Sequence, residues 1–243
     1  MLVNEIFRSV DGEVNCFHQG RMTTFLRVQG CNLYKHPCKW CDTLNAVTPT
    51  KDITSTSKLG LVCSSGGEFT VNEVMQKITD SCGDNKAVTI TGGEPFFEQH
   101  RKEVIQIIDR LAFFNFKINL ETNGKYAVPD RLLRHIHREN LCVVGDFKLP
   151  SSGNFDFNDM ANLFDCNFVK FVICTGRDLE IAVEVAKDIK CHTKYQSWGP
   201  RMVFSPVILN GGVDRELING IMCAMDRTDY ILNVQIHKFL GLK

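Results

Sequence analysis

Apolar, β-branched runs alternate with segments of helical spacing along most of the chain, and this alternation limits the possible folds more than any other feature. Strands are expected at 24–28, 87–91, 117–121, 141–147, 168–173, 201–205 and 230–234. Helices are expected at 71–81, 103–113, 130–138, 178–189 and 214–225, with a short one at 158–164. In 71–81, Val71, Val74, Met75 and Ile78 recur on one helical face, as do Val104, Ile107, Ile108 and Leu111 in 103–113. Strand–helix alternation at this spacing implies an α/β fold, a parallel sheet with helices packed outside. About six units fit, fewer than the eight of a closed barrel, so a partial barrel and an open sheet both satisfy the pattern. In either, ligands collect at the C-terminal ends of the strands. A length of 243 residues suits one domain over 1–243. Residues 48–67, dominated by Pro, Lys, Asp, Ser, Thr and Gly, read as an irregular insertion.

Lys+Arg and Asp+Glu both number 28, which argues against a broad basic surface for nucleic acid. The start shows no basic segment followed by an apolar one, and no apolar run is long enough to cross a membrane. A cytoplasmic chain with no membrane or direct nucleic-acid partner is therefore expected. Its 11 cysteines point to metal binding or burial more than to disulfides.

Three of them, Cys31, Cys38 and Cys41, sit just after the strand at 24–28 with C-x6-C-x2-C spacing. A C-x2-C turn brings two thiolates onto one metal. A structural zinc takes four ligands, and His36 is awkwardly placed to be the fourth. An iron–sulfur cube held by three thiolates leaves one iron open. Both readings stay open on spacing, as does burial of small apolar thiols. The later strands end in Thr91-Gly92-Gly93-Glu94-Pro95, Glu121-Thr122-Asn123-Gly124 and Asp146-Phe147-Lys148 through Gly153. Each is an ordinary turn when taken alone. In order, and all at strand C-termini, they form a pattern.

That pattern resembles the radical S-adenosylmethionine (SAM) superfamily and, within it, the 7-carboxy-7-deazaguanine synthase family. The resemblance covers nearly the whole chain. Residues 4–13 are similar to the family's substrate-binding opening, 24–33 to its approach to the cluster, and 233–238 to its final strand and tail. Two departures are visible. The superfamily's usual C-x3-C is C-x6-C here, and Asp11 stands where the family's opening has Gln.

The resemblance implies a partial (β/α)6-type radical SAM barrel and a lyase with no catalytic residue beyond the cofactor radical. Cys31, Cys38 and Cys41 would hold a 4Fe–4S cluster whose open iron chelates SAM. A 5′-deoxyadenosyl radical would remove hydrogen from C6 of 6-carboxy-5,6,7,8-tetrahydropterin. Ring contraction and loss of ammonia would give 7-carboxy-7-deazaguanine, a precursor in queuosine-type 7-deazapurine biosynthesis. Trp40, Cys41, Asp42, Gly93, Glu94, Thr122, Asn123, Asp146, Phe147 and Lys148 would surround SAM. Val10, Asp11, Gly12, Glu13, Arg27, Thr91, Gln235 and His237 would contact the pterin. Arg27 would fork onto its carboxylate, and the acidic opening would accept from its N–H edge. Thr43 would bind Mg2+ through oxygen. An external electron donor such as flavodoxin and a homodimer are expected partners. The alternatives are another radical SAM enzyme such as a glycyl-radical activase, a non-catalytic zinc or interaction module, and a degenerate homologue that only binds. His18, His36, His100, His135, His137 and His192 belong to no visible constellation.

Overall fold

The computed structural model describes residues 1–53, 61–194, 199–208 and 212–241. Nine strands form one sheet: β1 Leu2–Val10, β2 Met22–Val28, β3 Leu61–Glu68, β4 Ala87–Gly92, β5 Lys117–Thr122, β6 Leu141–Phe147, β7 Phe168–Ile173, β8 Arg201–Pro206 and β9 Ile231–Leu232. Their order is β3-β1-β2-β4-β5-β6-β7-β8-β9. From β2 to β9 every neighbouring pair is parallel, with registers such as Arg27↔Thr91 and Asp146↔Lys170. The helices are α1 Val71–Ser81, α2 Arg101–Phe113, α3 Asp130–His137, α4 Gly176–Thr193, α5 Arg215–Met225 and the short α6 Ile236–Phe239. No helix among the described residues is long and apolar enough to cross a membrane.

Local chemistry sets the helix starts. Thr70 and Glu73 close a capping box on α1, and Thr175 and Asp178 close one on α4. Asp214 caps α5 by accepting from Leu217 N at 2.8 Å. The segment expected as a helix at 158–164 is a 3-10 helix, Phe157–Leu163.

Two strands went unanticipated. Strand β1 pairs antiparallel with β2 (Ile6↔Leu26) and with β3 (Ile6↔Ser64). The expected irregular insertion at 48–67 is therefore corrected at its C-terminal end: residues from Leu61 on form an edge strand. A Ser- and Gly-rich run lacks strand propensity, but the ladder to β1 satisfies its backbone. Glycine is needed here, because a Cβ on Gly66 would lie 2.3 Å from Asn4 O and 2.3 Å from Ile53 Cγ2. The strand expected at 230–234 shrinks to Ile231–Leu232.

Strand alternation separates two cores. Ile90, Ile118, Leu120, Val143, Val169 and Phe171 face the helices and pack on Val74, Ile78, Val104, Ile107, Leu111 and Ile181. On the opposite face, Cys142, Val144, Phe168 and Val203 pack together with Val14, from the loop after β1. That loop, residues 11–21, crosses the inner face as a floor. Glu13 reaches Lys170 on β7 at 3.3 Å and Asn233, after β9, at 2.8 Å. Contact between the start of the sheet and its far strands requires the sheet to curl, and an open-edged partial barrel results.

Candidate active site

A cavity of about 650 Å³ opens at the C-terminal ends of the parallel strands. Of the residues singled out in the sequence, Val10, Asp11, Gly12, Glu13, Arg27, Cys31, Cys38, Trp40, Cys41, Asp42, Thr43, Thr91, Gly93, Thr122, Asn123, Asp146, Lys148 and Gln235 line it. Glu94 and Phe147 do not, and the side chain of His237 lies outside the described residues.

The cysteine loop leaves β2 and is fastened at its base by Gly30 N to Ala46 O and Cys31 N to Val47 O, both 2.8 Å. A turn with Cys41 N donating to Cys38 O at 3.0 Å sets the C-x2-C pair. Each sulfur has a polar neighbour. Leu33 N and Asn123 Nδ2 donate to Cys31 Sγ at 3.4 and 3.6 Å. Asn154 Nδ2 lies 3.8 Å from Cys38 Sγ, and Thr43 Oγ1 lies 3.6 Å from Cys41 Sγ. Burial pushes the Cys31 thiol up to about 11 and raises Cys38 as well. His36 is exposed and does not line the cavity. Among the described residues no three His, Cys, Asp or Glu side chains converge on a single-ion site. Three thiols on one cavity wall, with N–H groups aimed at sulfur and no fourth cysteine lining it among the described residues, fit a thiolate-held cluster with one open iron.

The glycine pair after β4 permits a close crossing. A Cβ on Gly93 would fall 2.0 Å from Gly30 O. Glu94 N donates to Gly30 O at 2.9 Å, which ties this loop to the approach to Cys31. The Glu94 side chain is fully buried and does not line the cavity. It accepts from Thr122 Oγ1 at 2.7 Å, Asn123 N at 2.6 Å and Phe96 N at 2.9 Å. Burial pushes its carboxyl up, and these donors pull it back. Glu94, expected to touch SAM, clamps Thr122 and Asn123 on the cavity wall. Phe147 also does not line the cavity. Strand alternation turns Asp146 inward and Phe147 outward, where it packs on Phe155 and Phe171 at 6.1 and 5.9 Å between ring centres.

Beside the cysteines lies a cluster of charges. Lys170 bridges Glu13 and Asp146, each at 3.3 Å, and Lys148 holds Asp146 at 2.9 Å. Burial works against the Asp146 charge, but the two lysines carry its pKa below the usual range. Glu13 also accepts from Gln235 Nε2. Arg27 donates through Nε to Glu5 at 2.9 Å and lies over the Phe7 ring at 5.3 Å. Its Nη donors have no protein partner among the described residues. Asp11, buried in the floor, accepts from Glu13 N at 3.1 Å and Thr89 Oγ1 at 2.7 Å. His18 Nε2 lies 3.2 Å from it. His18, which had no constellation in the sequence, thus has one in the fold.

Sequence reasoning missed Glu5, Glu121 and Lys170, all on the cavity wall. The signal was present as a charge inside an otherwise apolar strand. Glu121 accepts from Thr91 Oγ1 at 2.7 Å through Oε2, while its Oε1 is buried without a partner. Burial, with the charges of Glu13 and Asp11, pushes its carboxyl up to about 8 against the pull of Lys170. An acid held above its unfolded value of about 4.3 binds its proton more firmly when folded. Its stabilising contribution is full below that unfolded value and is lost as pH rises through about 8. Glu121→Gln removes this loss. The melting-temperature difference between variant and parent is expected to grow in the variant's favour from about pH 5 to about pH 8. A difference that stays constant over that range would contradict a protonated Glu121.

No family model matches the chain. Two curated proteins named 7-carboxy-7-deazaguanine synthase match nearly end to end. The one from Clostridium acetobutylicum is 27% identical over 98% of this chain and 95% of its own length. The one from Leptospira interrogans is 26% identical over 98% and 94%. A third of that name, from Bradyrhizobium diazoefficiens, is 35% identical over 54% of this chain and 59% of its own. Among solved structures, Streptococcus suis SuiB matches with a TM-score of 0.51, and SuiB bound to S-adenosylmethionine with 0.52. Each is 13% identical over 85% of this chain, and the chain spans about half of SuiB's length, 46% and 48%. That likeness concerns the fold. By sequence over nearly its whole length, the chain is similar to proteins named 7-carboxy-7-deazaguanine synthase, carried on a partial α/β barrel.

Proposed function

We propose that the chain is a radical SAM lyase that converts 6-carboxy-5,6,7,8-tetrahydropterin to 7-carboxy-7-deazaguanine with release of ammonia. One observation carries the reading: the three cysteines and a set of carboxylate- and amine-recognising side chains line the same cavity. Cys31, Cys38 and Cys41 would hold a 4Fe–4S cluster, which when bound supplies the electron that cleaves SAM.

The chain's own residues bind, orient and exclude water. Asn123 and Asn154 donate toward the cluster sulfurs. Trp40, Asp42, Gly93 and Thr122 line the wall beside the cysteines, where SAM would sit. The Glu94 clamp fixes Thr122 and the backbone of Asn123. Arg27 lines the cavity and would take the substrate carboxylate through its Nη groups. Glu13, Asp11 and the Gly12 carbonyl would accept from the pterin's N–H edge. Thr43 offers an oxygen on the cavity wall and would serve a Mg2+ ion, with waters and substrate completing the shell. A small external donor such as flavodoxin, a homodimer and a cytoplasmic setting complete the proposal.

Arg27→Lys keeps the charge but loses the two-pronged fork. A charge-assisted hydrogen bond contributes about 1.5–3 kcal/mol, so KM for the pterin is expected to rise roughly 10- to 100-fold. A variant with unchanged KM would place the carboxylate elsewhere. Anaerobic purification followed by reconstitution tests the class. Iron and sulfide in the protein, with SAM cleaved on reduction, support the reading. A colourless protein carrying zinc and no iron would sink it. Turnover of the carboxytetrahydropterin tests the reaction itself.

A further inference from the structure

The floor loop is closed by its own hydrogen bonds. Asp11 N donates to Arg21 O at 2.9 Å, and Gly20 N donates to Asp11 O at 2.7 Å. The Asn15 side chain accepts from Phe17 N and His18 N at 2.9 and 2.7 Å and donates to Glu13 O at 3.1 Å. These bonds hold the shape of the loop but do not seat it in the barrel. Its seat comes from contacts with the sheet. Val14 enters the inner core, and Glu13 reaches Lys170 and Asn233. On β4 the anchor is polar: Asp11 and His18, from the two halves of the loop, meet on Thr89.

The contacts assign the hydrogens of this group. Thr89 Oγ1 donates to Asp11 Oδ2 at 2.7 Å, so its one hydrogen is committed. His18 Nε2 lies 3.2 Å from the same Oδ2 and 3.1 Å from Thr89 Oγ1. Both neighbours present lone pairs to it, so Nε2 carries a hydrogen and donates. Asp11 Oδ1 accepts from Glu13 N at 3.1 Å. All three side chains are buried. His18 Nδ1 is buried with no partner among the described residues, as are both amide atoms of Asn119, the register partner of Thr89 on β5. An apolar side chain would fill the place of His18 without leaving a ring nitrogen unpaired. What the imidazole adds is a donor aimed at a buried carboxylate.

We propose that His18 is a positioning residue for pterin recognition, fixing the Asp11 carboxylate through Nε2–H and so seating the acceptor edge of the floor against the cavity. The proposal rests on the pterin reading of that cavity. Asp11, Gly12 and Glu13 line the cavity and His18 does not, so His18 acts through Asp11. Asp11 also holds Glu13 N, so a displaced Asp11 shifts the Gly12 carbonyl and Glu13 with it. The seated atoms are acceptors, and the ligand class they fit is a heterocycle with an edge of adjacent N–H donors.

The test measures affinity on the iron-loaded protein, with SAM and Mg2+ present, by anaerobic titration calorimetry. The probe is 6-carboxypterin, whose aromatic C6 carries no hydrogen to remove. His18→Phe and His18→Leu both lose the donor, at different side-chain volumes. In each, the dissociation constant of the probe is expected to rise roughly tenfold or more. His18→Gln places an N–H near the same point and should recover most of that loss. SAM affinity should stay at the parent's value in all three. A merely structural role would instead lower the fraction of protein that binds, at an unchanged dissociation constant. Coupling is read without ligand, from melting temperatures: His18→Phe should lower the melting temperature less in the Asp11→Asn protein than in the parent. Parent-like probe affinity in the donor-free variants, or equal melting losses in the two backgrounds, would overturn the proposal and leave the pterin reading standing. A parent that binds SAM but not the probe would overturn both.

Discussion

Cys38→Ala is expected to purify folded but without its cluster, and SAM cleavage should fall to background. Cys38 sits half-buried on a loop and takes no part in either core. Losing its side chain should change stability by no more than about 0.5 kcal/mol. Its sulfur is one of three on the cavity wall, and among the described residues no other cysteine lines that wall to replace it. Cys166 is the internal control. It is fully buried, and a Cβ on Gly145 would lie 2.8 Å from its sulfur. Cys166→Ala should keep its iron while losing stability through the cavity it leaves. Iron and acid-labile sulfide measured on both variants, beside a melting curve, check the pair. A Cys38→Ala protein with full iron would place the cluster elsewhere.

Lys170→Met should be the most destabilising change on the cavity wall. Lys170 is 6% exposed and holds two carboxylates, Glu13 and Asp146. Burial works against its charge, but Asp146, Glu13 and Glu121 together hold it well above the ordinary lysine range. Removing Lys170 takes the cation from Glu13, while Asp146 keeps Lys148 at 2.9 Å, and breaking a buried pair costs about 3–5 kcal/mol. The lower end applies here, because Lys170 borders a cavity that water can enter. For a chain of this size about 3 kcal/mol corresponds to a fall of roughly 6–12 °C in melting temperature. The loss should shrink as pH drops and the carboxylates protonate. A fall of less than about 2 °C would show that the pair contributes little.

The strands at 141–147 and 168–173 and the helix at 71–81 were legible to the residue. Apolar periodicity is strongest where an element packs on one continuous core. Strand β1 was not, because Asn4, Glu5 and Arg8 interrupt its apolar run. Asn4 sits in a hydrogen-bonded network with Gln29 and Asn45, and Glu5 lines the cavity, which local sequence does not reveal. Strand β3 was hidden by its serines and glycines, since its stability comes from pairing with β1. The cavity wall was largely legible, because its loops follow the strands in chain order.

The direction of individual side chains was less legible. Neighbours on a strand face opposite sides, so finding the Asp146-Phe147 pair did not say which residue turns inward. Glu94 was found by its motif, but the motif did not show that Thr122, Asn123 and Phe96 hold its carboxylate. Glu121 and Lys170 were passed over because a charge in an apolar strand declares itself only when its partners on other strands are known. His18 joined Asp11 through the fold of the floor loop, at a separation no local pattern encodes. The Asp11 that departs from the family's Gln is thus part of a buried group with Thr89 and His18.

The central claim is that one cavity joins a three-cysteine cluster to recognition of a carboxylated pterin. The most direct test is anaerobic turnover of the reconstituted, reduced protein with SAM, Mg2+ and 6-carboxy-5,6,7,8-tetrahydropterin, following ammonia and the deazaguanine product in parallel. Equal amounts of 7-carboxy-7-deazaguanine and ammonia, both absent with Cys38→Ala, are the predicted result. Cleavage of SAM with neither product formed would contradict the account and point to a different radical SAM substrate.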